Sequence, residues 1–332
     1  MKEVNILFTS VGRRVELVRA FQKAAENLAI AGRIIGTDID ALAPALHLVD
    51  TPILVPPYSS PDYVPRLTEI CRRESVHLVF PLIDPDIEIL AKNKEVLEKT
   101  GACVGVISAS AAETTADKWA TFRFFESISI PTPRSWLPHH VDPADITYPV
   151  VIKPRFGSAS KNVFQVRNQR EYNFFIDYVR DPIVQEFISG PEITSDVLCS
   201  LKGELLAVVS RRRVEVRWGE VSKGVTMSDP EIIKGSMKIV ESLPAVGPIT
   251  VQCILKESVP YFTEINARFA GGAPLALAAG VDFPRWYLAE AAGLSFAVPP
   301  VGTYRKDLYL TRFDESFFLS VADIEQISRN RV

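Results

Sequence analysis

In Glu264-Ile265-Asn266-Ala267-Arg268 a carboxylate, an amide and a guanidinium recur at every second position, and a further amide, Gln252, precedes them. Alternate residues of a β-strand share a face. Oxygen donors of this kind suit a hard divalent cation, and a guanidinium takes a phosphate oxygen. Two apolar runs, 249–255 and 260–265, flank Lys256-Glu257-Ser258, which reads as a β-hairpin. Phe262, Ile265, Ala267 and Phe269 supply the buried side of its second strand. Gln252, in the middle of the first strand, can then stand opposite Glu264 and Asn266.

Three other segments make the same demand. The polar loop 157–162, with Gly157, Ser158 and Ser160, offers backbone N–H groups that can fold over phosphates, and Lys153 enters from the strand before it. Gln185-Glu186-Phe187-Ile188 runs into Gly190-Pro191 and resumes at Glu192, a bent connector whose backbone can read an adenine edge and whose acid can accept from ribose hydroxyls. Lys118 begins a helix, where a cation is electrostatically misplaced unless it serves an anion. Read singly, these are a flexible turn, a strand–turn–strand and a surface charge.

Their order resembles that of the ATP-grasp superfamily of carboxylate–amine ligases, and in particular its stand-alone members similar to the carbamoyl-phosphate synthetase large subunit. Thr9-Ser10-Val11-Gly12-Arg13-Arg14 and Lys153-Pro154-Arg155-Phe156-Gly157-Ser158 are both similar to that group. The resemblance implies a pre-ATP-grasp, Rossmann-like α/β module followed by an α+β ATP-grasp fold. It implies ATP with Mg²⁺ (or Mn²⁺), the metal held by Gln252, Glu264 and Asn266. Lys118 and Lys153 would meet the α- and β-phosphates under a lid loop carrying Gly157, Ser158 and Ser160. Gln185, Glu186, Phe187 and Ile188 would surround adenine, with Glu192 on the ribose. Arg268, Lys153 and Arg212 would act on the reacting groups. The implied reaction joins a small-molecule carboxylate to an amine through an acyl phosphate, releasing ADP and phosphate. A phosphorylating enzyme without ligation and a nucleotide sensor without turnover remain the alternatives. Gln252 stands where many members carry Asp, and the resemblance covers one synthetase half.

Substrate groups must come from elsewhere in the sequence. On a strand, Arg211 and Arg213 share one face and Arg212 takes the other, so at least one can meet a carboxylate. Arg13, Arg14 and Asp84 stand at strand ends, where open α/β sheets place ligands, and Ala270-Gly271-Gly272-Ala273 turns into a helix.

The elements that must hold these residues follow from pattern. At 332 residues the chain suits more than one compact domain, and its 47% hydrophobic and 23% charged content is that of a globular protein. A net charge of −3 gives no electrostatic case for nucleic acid. The four cysteines and four histidines have neither CxxC nor HExxH spacing, and the apolar stretches are too short to span a bilayer, so a cytoplasmic location with no membrane partner is expected. Alternating strand and helix patterns over 1–113 predict a parallel sheet, and one glycine where a dinucleotide fingerprint needs three disfavours NAD. The texture then becomes antiparallel over 114–300, with a lid at about 134–188, and 301–332 is expected to pack on that second unit. A homodimer stays open.

Overall fold

The computed structural model describes residues 2–157, 161–217 and 219–329, and its strands form three sheets. Ser158, Ser160 and Trp218 lie outside the described residues. Strands β1 (Ile6–Thr9), β2 (Ile34–Asp38), β3 (Thr51–Leu54), β4 (Leu78–Pro81) and β5 (Cys103–Val104) pair in parallel in the order β3-β2-β1-β4-β5. Four of these were legible as apolar runs. β3 was not, because it is short and holds Pro52, which only an edge strand tolerates. The order reverses between β1 and β4, so a crevice opens at their C-terminal ends. Asp38 caps the first loop there: its carboxylate accepts from the backbone N–H of Gly12 (2.8 Å), Ile39 (2.8 Å) and Asp40 (3.1 Å).

The second sheet contains β6 (Ser135–Trp136), β7 (Val150–Pro154), β8 (Phe164–Val166) and β9 (Pro182–Glu186), antiparallel in the order β6-β9-β7-β8. It has a small core of its own, in which Val150, Ile152, Val166 and Val184 pack with Tyr172 of the helix Gln169–Tyr178. The third sheet holds β10 (Glu192–Cys199), β11 (Leu205–Arg217), β12 (Glu220–Met227), β13 (Pro248–Lys256), β14 (Val259–Asn266) and β15 (Tyr309–Thr311), in the order β14-β13-β10-β11-β12-β15. β12 escaped the sequence reading because Ser222, Lys223 and Gly224 interrupt its apolar pattern.

An aromatic cluster joins the first sheet to the third. Phe8 of β1 and Phe80 of β4 meet Phe21, Phe269, Phe283 and Tyr287, with ring centroids as close as 5.1 Å for Phe8–Phe21 and 5.3 Å for Phe80–Phe269. All six are nearly fully buried, and burying a side chain of this size stabilises by roughly 1.5–3 kcal/mol. Phe269 follows Arg268, so this core fixes the backbone that carries Arg268 against β4. The tail divides between the two units: β15 extends the third sheet beside β12, while the helix Val321–Arg329 lies against β3. Among the described residues no helix is long and apolar enough to cross a membrane.

Candidate active site

In the third sheet Gln252 pairs directly with Glu264, and Thr250 with Asn266, so all four side chains leave the same face. A bulge after Gln252 gives β14 the extra residue Thr263. The side chains of Gln252, Glu264 and Asn266 form no hydrogen bond among the described residues, although Asn266 is buried. None of their side-chain polar atoms is both sealed from solvent and unpaired, so the set opens onto accessible space and not into packing. One carboxylate and two amide oxygens fit a hard cation whose remaining ligands come from phosphate. The described residues contain no cluster of three His, Cys, Asp or Glu.

Two lysines approach this face from the other side. Lys153 on β7 donates to Gln185 Oε1 at 2.8 Å, and Gln185 Nε2 donates to Ser135 at 2.9 Å, so the lysine is held across the second sheet. Burial pulls its ammonium down to about 8; Glu264 partly offsets this and Lys118 adds to it. Lys118 follows Asp117, whose carboxylate caps the helix Lys118–Ser127 by accepting from Trp119 N–H at 2.9 Å. The Lys118 ammonium donates to Gly157 O at 2.7 Å, which ties it to the loop expected to cover phosphates. Asp117 also takes the Arg155 guanidinium at 3.1 Å, anchoring the near end of that loop.

Arg268 is bidentate on Asp84, with Nε at 2.7 Å and Nη2 at 3.1 Å from the two carboxylate oxygens. Burial works against its charge, and Asp84 more than restores it, so its pKa is raised. Asp84 opens the helix Asp84–Lys92 at the end of β4. A buried network, Thr9 to Asp86 at 2.6 Å and Tyr63 to Asp86 at 3.0 Å, fixes the same helix start. A planar ion pair therefore joins the two units at this point of the site.

At the far side the chain leaves β9 through Phe187 and Ile188 and bends at Gly190. A Cβ there would stand 2.2 Å from Leu255 O, so only glycine lets the connector lie on β13. These segments enclose one cavity of about 910 Å³. Lys118, Lys153, Gly157, Gln185, Glu186, Phe187, Ile188, Glu192, Gln252, Glu264, Asn266 and Arg268 all line it.

The arginine strand divides differently from expectation. The side-chain alternation is as read, but Arg212 is exposed on the opposite face and does not line the cavity, so a role for it at the reacting groups is not supported. Arg211 is buried against Asp196 and equally absent from the lining. Of the three only Arg213 reaches the cavity, held by Glu192 at 3.1 Å and Gly219 O at 3.3 Å. Lining residues that the sequence did not single out for the site include Tyr58 and Thr263. Thr263 follows from the bulge; Tyr58 lies in a loop with no pattern to mark it.

A family profile described as an ATP-grasp domain matches residues 115–272, and one described as a PylC-like N-terminal domain matches residues 6–106. The chain carries an ATP-grasp domain. It is 26% identical over 195 residues to a D-alanine–D-alanine ligase of Petrotoga mobilis, covering 51% of this chain and 64% of that protein. It is 29% identical over 136 residues to a carbamoyl-phosphate synthase of Methanobrevibacter smithii, covering 39% of this chain and 37% of that one. The chain thus spans less than two thirds of these curated relatives. Its fold is also that of the L-amino acid ligase from Bacillus licheniformis, with a TM-score of 0.68 at 19% identity over 88% of this chain and 75% of that chain.

Proposed function

We propose that this ATP-grasp protein is an ATP- and Mg²⁺-dependent ligase that joins a carboxylate to an amine through an acyl phosphate, giving ADP and phosphate. The observation that supports it most is that two lysines, an ion-paired arginine and a carboxylate with two unpaired amides converge on one cavity. The domain profile and the ligases among the relatives support the same reading. The working units are 1–113, 114–300 with its lid at about 134–188, and 301–332.

In this reading the adenine lies along 186–188 and the ribose near Glu192, with Lys118 and Lys153 on the phosphates. Gln252, Glu264 and Asn266 would hold the cation, which supplies neutralisation of phosphate charge when bound. The substrate carboxylate attacks the γ-phosphorus in line; the P–O bond to ADP breaks, and the amine later displaces phosphate from the acyl group. The protein positions and stabilises charge, since the attacking and transferred groups repel each other. Arg268, oriented by Asp84, faces the group in transfer. No protein nucleophile is required.

The test is nucleotide release from MgATP with L- and D-amino acids, supplied singly and in pairs. Amino-acid-dependent ADP and phosphate are expected. Stoichiometric AMP and pyrophosphate would replace this reading with an adenylating ligase, and ADP formation without a coupled product would leave only phosphorylation.

A further inference from the structure

Arg14 is poorly accounted for by the fold. It follows β1 at the strand-order reversal, and only 15% of its side chain is exposed. A guanidinium carries five N–H donors. Yet its single ion pair is with Glu220 at 2.9 Å, and its side chain donates no hydrogen bond among the described residues. Burial lowers its pKa to about 10; Arg268 and Arg312 add repulsion, which Glu220 and Asp84 oppose. Glu220 is already shared, lying 3.2 Å from Arg312 as well.

Arg14 and Glu220 are not among the residues that line the cavity, but they stand close behind its Arg268–Asp84 end. A Cβ on Gly271 would stand 2.9 Å from Arg14 Nη1 and 2.8 Å from Glu220 Cδ, so the guanidinium rests on bare backbone just beyond Arg268. Gly219, the residue before Glu220, lines the cavity together with Arg268 and Asp84. Arg312 pins the Gly271 carbonyl from the other side and takes Glu16 at 2.9 Å. The arrangement is a planar donor with unfilled positions, desolvated and backed by further cations, beside the place where the phosphoryl group would be transferred.

We propose that Arg14 reads a spectator carboxylate, one that is not phosphorylated, on an amino-acid substrate lying between Arg268–Asp84 and Arg14–Glu220. This rests on the ligase reading above and extends it to a recognition residue. The source of the carboxylate is either the α-carboxylate of the substrate that supplies the amine or the second carboxylate of a dicarboxylic acid. A bidentate guanidinium–carboxylate pair would fill Arg14's donors, and Gly271 leaves room for its plane.

The experiment is calorimetric titration of the whole protein in two stages. MgADP is titrated first, into wild type, Arg14→Ala and Arg14→Lys. The MgADP-loaded proteins are then titrated with single amino acids, including aspartate and glutamate, and with the α-carboxamide of each amino acid that binds. MgADP should bind all three proteins within about twofold. At least one amino acid should bind wild type and lose about tenfold to a hundredfold in Arg14→Ala, the weight of a charge-assisted hydrogen bond. Arg14→Lys, which keeps the charge without the planar fork, should fall between. Should Arg14→Ala not fold, Arg14→Lys alone must still show a loss confined to the amino acid. Weakened binding of the α-carboxamide assigns the α-carboxylate; a loss seen only with aspartate or glutamate assigns the distal one. Equal amino-acid affinity in wild type and both variants would overturn the inference, as would no amino acid binding to MgADP-loaded wild type. Failure of wild type to bind MgADP would overturn the ligase reading, and this inference with it.

Discussion

Glu264→Gln is expected to abolish ADP formation in a protein that still folds. Glu264 is the one carboxylate among Gln252, Glu264 and Asn266, directly opposite Gln252 on the neighbouring strand. The substitution keeps size and hydrogen-bonding capacity, so β14 and its bulge have no reason to move. What is lost is a negative charge that neither Gln252 nor Asn266 can replace. The cost in the barrier should be about 3 kcal/mol or more. A second effect follows from the field: Glu264 helps to keep Lys153 charged, so its removal should lower the lysine's pKa further. Nucleotide release and circular dichroism, measured on the same preparation, check this. Undiminished ADP formation by folded Glu264→Gln would mean that the cation site lies elsewhere.

Lys153→Ala should both weaken ATP binding and slow its turnover, by about 3–4 kcal/mol in the barrier. Lys161→Ala should do much less. Both residues line the cavity, but Lys153 is fixed on β7 by Gln185, whereas Lys161 is exposed on the loop and can swing away. Equal losses at the two positions would mean that the phosphates lie over the loop. The lysine also sets a pH dependence. Its pKa is about 8 without nucleotide, and bound phosphates must raise it, so the bound form holds the proton more tightly than the free form. ATP affinity should therefore be flat below about pH 7 and fall as pH rises through 8, with about half a proton taken up on binding at pH 8 and close to one above about pH 9. Calorimetry in buffers of different ionisation enthalpy measures that uptake, and the slope should vanish in Lys153→Ala.

The hairpin from 249 to 266 was legible because two apolar runs flank the polar segment Lys256-Glu257-Ser258, and that pattern has one good solution. The lysines and the connector around Glu192 followed from order along the chain. Arg211–Arg213 shows where such reading stops. Alternation told which arginines share a face, but not that Asp196, an ordinary alternate polar residue of β10, would bury Arg211. Nor could it show that Arg212 would point away from the cavity. Asp84 was visible as an acid at a strand end. Its bidentate pairing with Arg268 depends on an aromatic core joining β1 and β4 to Phe269, and no local pattern encodes a contact across 184 residues. Arg14 is similar: the double arginine was conspicuous, while its under-filled donors appear only when Gly271 and Glu220 are brought beside it.

If a substrate carboxylate attacks the γ-phosphorus of ATP in this cavity, one carboxylate oxygen must end in the released phosphate. The protein is incubated with MgATP and a set of L- and D-amino acids labelled with ¹⁸O in their carboxylates, and the released inorganic phosphate is analysed by mass. Attack by the carboxylate places one labelled oxygen in that phosphate as the amine displaces it, and ADP accumulates in equal amount. Unlabelled phosphate, or label recovered in AMP, would rule out that attack.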